Sequence, residues 1–222
     1  MSTTKISRRD ILKVAGISLG ASAVACSGLT VLGTRQPDID FTEATFGDTT
    51  LPYKILVAYA SKAGSTGDIA GAIGKTLAES GAQVDVRLMK DVNDLAPYRA
   101  VVAGSAIRRG QWLKDAMRFV ESHQAALAQK PFAAFLVCLT LAKPSDAAHQ
   151  EVAAYLEPVR ALVKPVSEGL FAGMIDFSKL PLVPEGLIMR AILASSKQSP
   201  GDYRDWNAIR AWAAGLKPLL TN

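Results

Sequence analysis

Three stretches constrain this chain more than anything else in it: Lys54 to Tyr59, Ala100 to Ser105 and Ala133 to Leu139 are almost uninterrupted apolar runs, each too short for a typical helix. A strand covered on one face alternates apolar and polar residues. An unbroken run suits a strand buried on both faces, as in a parallel sheet. Between the runs the spacing turns helical. Asp68 to Ser80 carries Ile69, Ala70, Ile73 and Leu77 and closes on Gly81, and Leu113 to Ala128 carries Leu113, Met117, Val120 and Leu127. Ser145-Asp146 caps a helix reaching about Val163, kinked or restarted at Pro158, and Tyr203 to Leu220 forms the last one. Gln83 to Met89 alternates as an edge or near-edge strand, and Val166 to Ile175 is a fifth strand. Strands linked by helices predict a doubly wound α/β sandwich. Ligands in such sheets sit at the carboxyl ends of the strands, which directs attention to the loops after the first, third and fourth.

The first of these loops lies in YASKAGSTGDIA, residues 59 to 70. Ser61-Lys62-Ala63-Gly64-Ser65-Thr66 sets three hydroxyls and a series of backbone amides where a strand ends and a helix begins, an arrangement suited to a phosphate. Neither G-x-x-x-x-G-K-[ST] nor G-x-G-x-x-G occurs there, so a monoester phosphate is a better candidate than a nucleoside triphosphate or a dinucleotide. Taken alone, the loop also fits an ordinary capped turn.

In context the loop resembles the T/S-x-T/S-G-x-T phosphate segment of flavodoxins, with one residue more before the glycine. It is closer still to the long-loop form of the menaquinone-dependent protoporphyrinogen oxidases within that superfamily. Val101-Val102-Ala103-Gly104-Ser105-Ala106-Ile107-Arg108-Arg109-Gly110, Leu141-Ala142-Lys143-Pro144 and Asp202-Tyr203-Arg204-Asp205-Trp206 carry the same resemblance, over about residues 53 to 216. It implies a flavodoxin-like three-layer sandwich with a five-stranded parallel sheet in the order 2-1-3-4-5, and FMN as cofactor. Residues 61 to 66 would cradle the 5′-phosphate. Ser105, Ala106, Ile107, Arg108, Arg109, Gly110 and Trp112, with Cys138, Leu139, Thr140, Leu141 and Ala142, would flank the isoalloxazine, largely through backbone groups. Arg108 and Arg109 would favour an anionic reduced flavin, or else stand solvated. Trp112 would stack on the ring or a substrate, or else pack beneath its helix. Arg109 occupies a place where the oxidase subgroup often has tyrosine, which puts the electronic details of the flavin site in doubt; that subgroup faces the cytoplasm, so the export signal of this chain leaves protoporphyrinogen a doubtful substrate.

The formal charge of +5 does not indicate a nucleic-acid surface, because much of it lies in Lys5, Arg8, Arg9 and Lys13 at the front of the chain. Ser7-Arg8-Arg9-Asp10-Ile11-Leu12-Lys13 resembles the twin-arginine export signal, with Ile11 where Phe is usual, and Val14 to Gly33 is uncharged. Ala23-Val24-Ala25 before Cys26 offers a cleavage site and also resembles a lipoprotein signal. Lipidation at Cys26, plain cleavage and retention as an anchor are all open, and each predicts a location in the periplasm or at the outer face of the cytoplasmic membrane. Residues 34 to 52 read as a tether, and 53 to 220 as the domain. Within that domain, 177 to 201 form an apolar insertion that either meets a membrane surface or docks on the domain's own core.

Cys138, inside an apolar run, reads as a buried small hydrophobe. His123 and His149 lack a partner at ligand spacing, so no metal site is expected. Two classes of function fit: an exported FMN oxidoreductase passing electrons from a reduced small molecule to a quinone or membrane partner, and a carrier with no substrate of its own. A domain that has lost its flavin is a third. The oxidoreductase is favoured because carriers of this type are strongly acidic, whereas this chain beyond its signal is close to neutral.

Overall fold

A computed structural model describes residues 39–48, 50–51, 54–176, 178 and 199–220. The export motif, Val14 to Gly33, Cys26 and nearly all of the 177 to 201 insertion lie outside them. Backbone contacts separate Met1–Asp38 with Phe177–Ser199 from a second unit, Ile39–Asp176 with Pro200–Asn222. In the first unit only Ser178 and Ser199 are described, both exposed. The second unit carries every strand and α-helix among the described residues.

Its main sheet is built on β2 (Lys54–Ala60), β3 (Gln83–Leu88), β4 (Tyr98–Arg108), β6 (Phe132–Val137) and β7 (Ser167–Phe171). These five run parallel in the spatial order β3-β2-β4-β6-β7. The α/β class is as the sequence predicts, but the five-stranded, wholly parallel sheet needs correction in two places. β1 (Ala44–Phe46) joins antiparallel at the outer edge of β3, and β5 (Gln111–Trp112) folds back antiparallel on the end of β4. β1 falls within the stretch read as a tether. Its Thr45 and its carbonyls answer polar groups on β3, a pairing that leaves no periodic trace in three residues.

Alternation along each strand divides the core. Leu56, Ala58 and Ala60 of β2 face one layer, while Ile55, Val57 and Tyr59 face the other. The first layer is closed by α2 (Lys114–Ser122), the short α3 (Gln124–Leu127), α4 (Asp146–Ala154) and α5 (Glu157–Leu162). The second is closed by α1 (Ser65–Glu79) and α6 (Trp206–Leu220), which pack on each other. Ile69, Ile73 and Leu77 of α1, and Ile209, Ala213, Leu216 and Leu220 of α6, recur every three or four residues and form the buried stripes. Phe135 of β6 lies among Phe171 and Trp212, with ring centroids 6.2 and 6.1 Å away. Burying the Phe135 ring contributes on the order of 2–3 kcal/mol of transfer free energy.

Two long helices of the sequence reading are divided. Leu113 to Ala128 breaks at His123 into α2 and α3, and Ser145 to Val163 breaks at Tyr155-Leu156. Ser145 caps α4 by accepting from the Ala148 amide, and Pro158 sits in the first turn of α5, where its missing N–H costs nothing. Val166 to Ile175 is likewise interrupted: β7 stops at Phe171, and Met174–Ile175 forms a separate strand, β8, paired with β9 (Gly201–Asp202).

Asp85 is a buried acid on β3. It accepts from Thr45 at 2.7 Å and Tyr98 at 3.0 Å, and lies 3.2 Å from Lys54 Nζ. Burial alone would raise its pKa. The Thr45, Lys54 and Tyr98 hydrogen bonds and the Arg87 charge outweigh that and hold it below the ordinary carboxylate value.

Candidate functional site

β2 ends at Ala60 and α1 begins at Ser65, so Ser61 to Gly64 make the whole connection. Gly64 takes φ 87°, a conformation that favours glycine, and its amide donates to Ser61 Oγ at 3.0 Å. The Gly64 carbonyl accepts from Gly67 at 2.7 Å and Asp68 at 3.2 Å. No side chain caps this helix, and the Ser65 and Thr66 amides find no acceptor among the described residues. The Thr66 hydroxyl is buried and likewise has no partner among the described residues. Two amides and a hydroxyl at a helix N-terminus thus await an acceptor, where the helix dipole favours an anion.

Gly67 brings this turn down onto β2, since a Cβ there would lie 2.9 Å from the Tyr59 hydroxyl. Burial pushes the Tyr59 phenol pKa upward, with the carboxylates of Glu43, Asp68 and Asp40 adding to the effect. It is therefore neutral beneath the loop. Lys62 is exposed and stands 3.9 Å from Asp115 on α2.

The second loop is a hairpin. β4 runs past its pairing with β6, which ends at Ala106, and turns at Arg109-Gly110 so that Arg108 opposes Gln111 and Ile107 opposes Trp112. Both turn residues have positive φ, 55° and 73°, as a two-residue type I′ turn requires. The Ser105 hydroxyl is committed inside the loop, accepting from the Leu113 amide at 3.0 Å and donating to the Ala106 carbonyl at 2.8 Å. Trp112 is buried and packs in the core beneath α2, and its indole N–H has no partner among the described residues.

In the third loop the Cys138 amide donates to Phe171 O at 2.9 Å, and Leu139–Ala142 form a 3₁₀ turn. Cys138 Sγ donates to Thr140 Oγ1 at 3.4 Å, and Leu141 is buried. At Ser105, Trp112, Cys138 and Leu141 the side chains serve the interior. What these positions offer at the sheet edge is backbone. The three loops follow β2, β4 and β6, adjacent strands, and the sheet order reverses between β2 and β4.

A family model described as a flavodoxin domain matches residues 56–202, more than half of the chain. The chain belongs to the flavodoxin-domain family. Among solved structures, a flavodoxin from the domain Archaea is 18% identical with a TM-score of 0.46, the match covering 74% of this chain and 96% of that one. Flavodoxin 2 from Bacillus cereus is 26% identical with a TM-score of 0.42, covering 65% and 99%. A point mutant of flavodoxin from Pseudomonas aeruginosa is 11% identical with a TM-score of 0.47, covering 76% and 99%. No curated protein gave a match.

Two features of this flavodoxin domain's loop edge were not legible as site features in the sequence. Gly173, read as part of a strand, lies beyond β7, where a Cβ would stand 3.1 Å from Val137, 3.6 Å from Ser65 Oγ and 3.8 Å from Leu139. It lets the chain after β7 pass between the first and third loops. Arg204, which in the sequence is only one residue of the Asp202–Trp206 resemblance, reaches Asp68 of α1 at 2.7 Å and both oxygens of Asp202 at 2.7 Å, and stacks 4.4 Å from the Trp206 ring. The Arg204 hydrogen bonds lower the Asp202 pKa. His123 and His149 each set Nδ1 against a carbonyl of their own segment, Phe119 and Ser145.

Proposed function

We propose that this protein binds FMN at the three-loop edge and works as an exported oxidoreductase, passing electrons between a reduced small molecule and a quinone or membrane partner. The observation that carries the reading is the partnerless Thr66 hydroxyl, with the free Ser65 and Thr66 amides behind Gly64. A monoester phosphate supplies the acceptors these groups lack, so the residues fit the cofactor that family membership suggests. When bound, FMN supplies the redox chemistry, taking up and releasing electrons one or two at a time.

The chain's own part is to hold and to shield. Residues 61 to 66 grip the phosphate end, Gly67 keeps that turn against Tyr59, and the backbone of the hairpin and of the Cys138–Ala142 loop presents donors and acceptors to the ring edge. Export rests on Arg8 and Arg9 in their signal context, a route that carries folded cargo already loaded with cofactor. It places the domain in the periplasm or at the outer face of the cytoplasmic membrane, with Cys26 as the lipid attachment point if the signal is of the lipoprotein kind.

An absorbance spectrum of the purified protein tests this directly. Flavin bands that chromatography assigns to FMN are expected, and Gly64→Asp with Thr66→Ala abolishes them by placing a charge and removing a donor at the phosphate. Unchanged FMN affinity in that variant overturns the site. A second reading, an electron carrier without a substrate, is favoured by family membership itself. Two-electron turnover with menaquinone analogues separates it from the oxidoreductase.

A further inference from the structure

The three loops share a property that the phosphate cradle does not use. Ser61–Thr66, Ser105–Lys114 and Cys138–Lys143 contain Lys62, Arg108, Arg109, Lys114 and Lys143 and no acidic residue at all. Arg109, Lys114 and Lys143 are exposed and Arg108 half-buried, and none of these four makes an ion pair among the described residues. Of the acids that flank these loops in the sequence, Asp68 is engaged by Arg204 and Asp115 by Lys62 and Arg118, while Asp146, three residues after Lys143, makes no ion pair among the described residues. Left unpaired at one sheet edge, the cations repel one another, a cost that a negative counter-surface removes.

Their spacing says what kind of surface. Adjacent strands lie about 4.8 Å apart, so loops following β2, β4 and β6 spread their charges over roughly 10 Å or more instead of converging on one point. A single small anion cannot meet them all. A protein partner held at this face would need apolar or aromatic anchors. Here Trp112, Leu113 and Leu141 are buried, and the exposed large apolar residues among those described, Val166 and Leu219, belong to other segments. An extended anionic plane requires no anchor, because each basic side chain near it adds its own attraction.

We propose that the loop edge docks electrostatically on an anionic lipid surface through Arg108, Arg109, Lys114 and Lys143. The inference rests on the proposed FMN function, because it turns the flavin edge toward the membrane in which a quinone resides. It concerns orientation on the membrane, separately from whatever tethers the N-terminus.

The test uses the full-length protein with a coumarin amino acid at position 111 beside the hairpin or, in a second sample, at position 164 ahead of β7. Energy transfer to an acceptor dye in phosphatidylglycerol vesicles is then measured, with phosphatidylcholine vesicles as the control. Transfer from position 111 is expected to exceed that from 164 at least about twofold on phosphatidylglycerol alone, and to fall as salt screens the charges. Arg109→Gln with Lys143→Gln raises the lipid concentration for half-maximal transfer by about 25-fold, whereas Lys75→Gln with Lys164→Gln, of equal charge change, moves it less than about twofold. Equal transfer from both positions, or no response to the loop substitutions, overturns the proposal. So does a position-111 signal that answers succinylated cytochrome c but not the vesicles, which would assign the face to an acidic protein. The readout works with and without FMN, so failure to dock and failure to bind the cofactor are separate results.

Discussion

Arg204 Nη1 lies 2.7 Å from Asp68 Oδ2, joining residues 136 positions apart and tying the strand β9 to the first turn of α1. The guanidinium side chain is only 8% exposed and its other face is bound to Asp202. Asp68 is half-exposed, so it rehydrates when the arginine is removed, and the loss is that of charged hydrogen bonds and stacking, about 2 kcal/mol. Arg204→Gln is therefore expected to lower Tm by several degrees and weaken FMN binding, with Asp68→Asn milder on both. Calorimetry and FMN titration of the two variants check this. An Arg204→Gln protein with unchanged Tm contradicts it.

Gly67 against Tyr59 sets the height of the loop after β2. Adding a methyl group brings it within 2.9 to 3.0 Å of the phenol, and the whole aromatic ring sits in a filled core. Gly67→Ala should cost about 1–3 kcal/mol by overpacking and lift the helix terminus away from β2. FMN affinity is expected to fall with it, as measured by fluorescence titration under conditions where the variant is fully folded.

Gly104 supplies the contrasting case. It pairs with Phe135 across β4 and β6, and a Cβ there would lie 1.9 Å from the Phe135 ring. Gly104→Ala must displace a ring packed on Phe171 and Trp212, so denaturant midpoints should drop further than for Gly67→Ala. Near-ultraviolet dichroism of Trp212 reports the displaced ring.

The Asp85 cluster predicts pH limits at both ends. Its native pKa is depressed, so its contribution is present above the unfolded value near 3.9 and is lost as the pH falls through the native one. Tyr98 shifts the other way: burial, then its hydrogen bond to Asp85, push it up to about 12. Its contribution is full below the unfolded value near 10 and disappears as pH rises toward 12. In Asp85→Asn both slopes flatten and neutral-pH stability declines, which urea titrations across the pH range would show.

The parallel strands were readable because burial on both faces leaves a chemical record. A residue that cannot reach water on either side is apolar unless a partner satisfies its polar group, and Ile55 to Ala58 and Phe132 to Val137 are apolar throughout. The turn after β2 was readable for a related reason: its hydroxyls and its glycine are consecutive, and local geometry needs only local sequence. Helix breaks at His123 and Tyr155 were not, since apolar spacing continues across them and packing on the sheet decides where each axis turns.

By itself, then, the amino-acid order determined the alternation of buried strands and amphipathic helices, the sheet class and the loop after β2. Each depends on neighbours within a few residues. Only the tertiary structure decided that Ala44–Phe46 joins β3, that Trp112 turns inward, that Gly173 passes between two loops and that Arg204 closes on Asp68. These are single contacts between distant segments. A single contact has no period, and becomes visible only when the fold brings its two ends together.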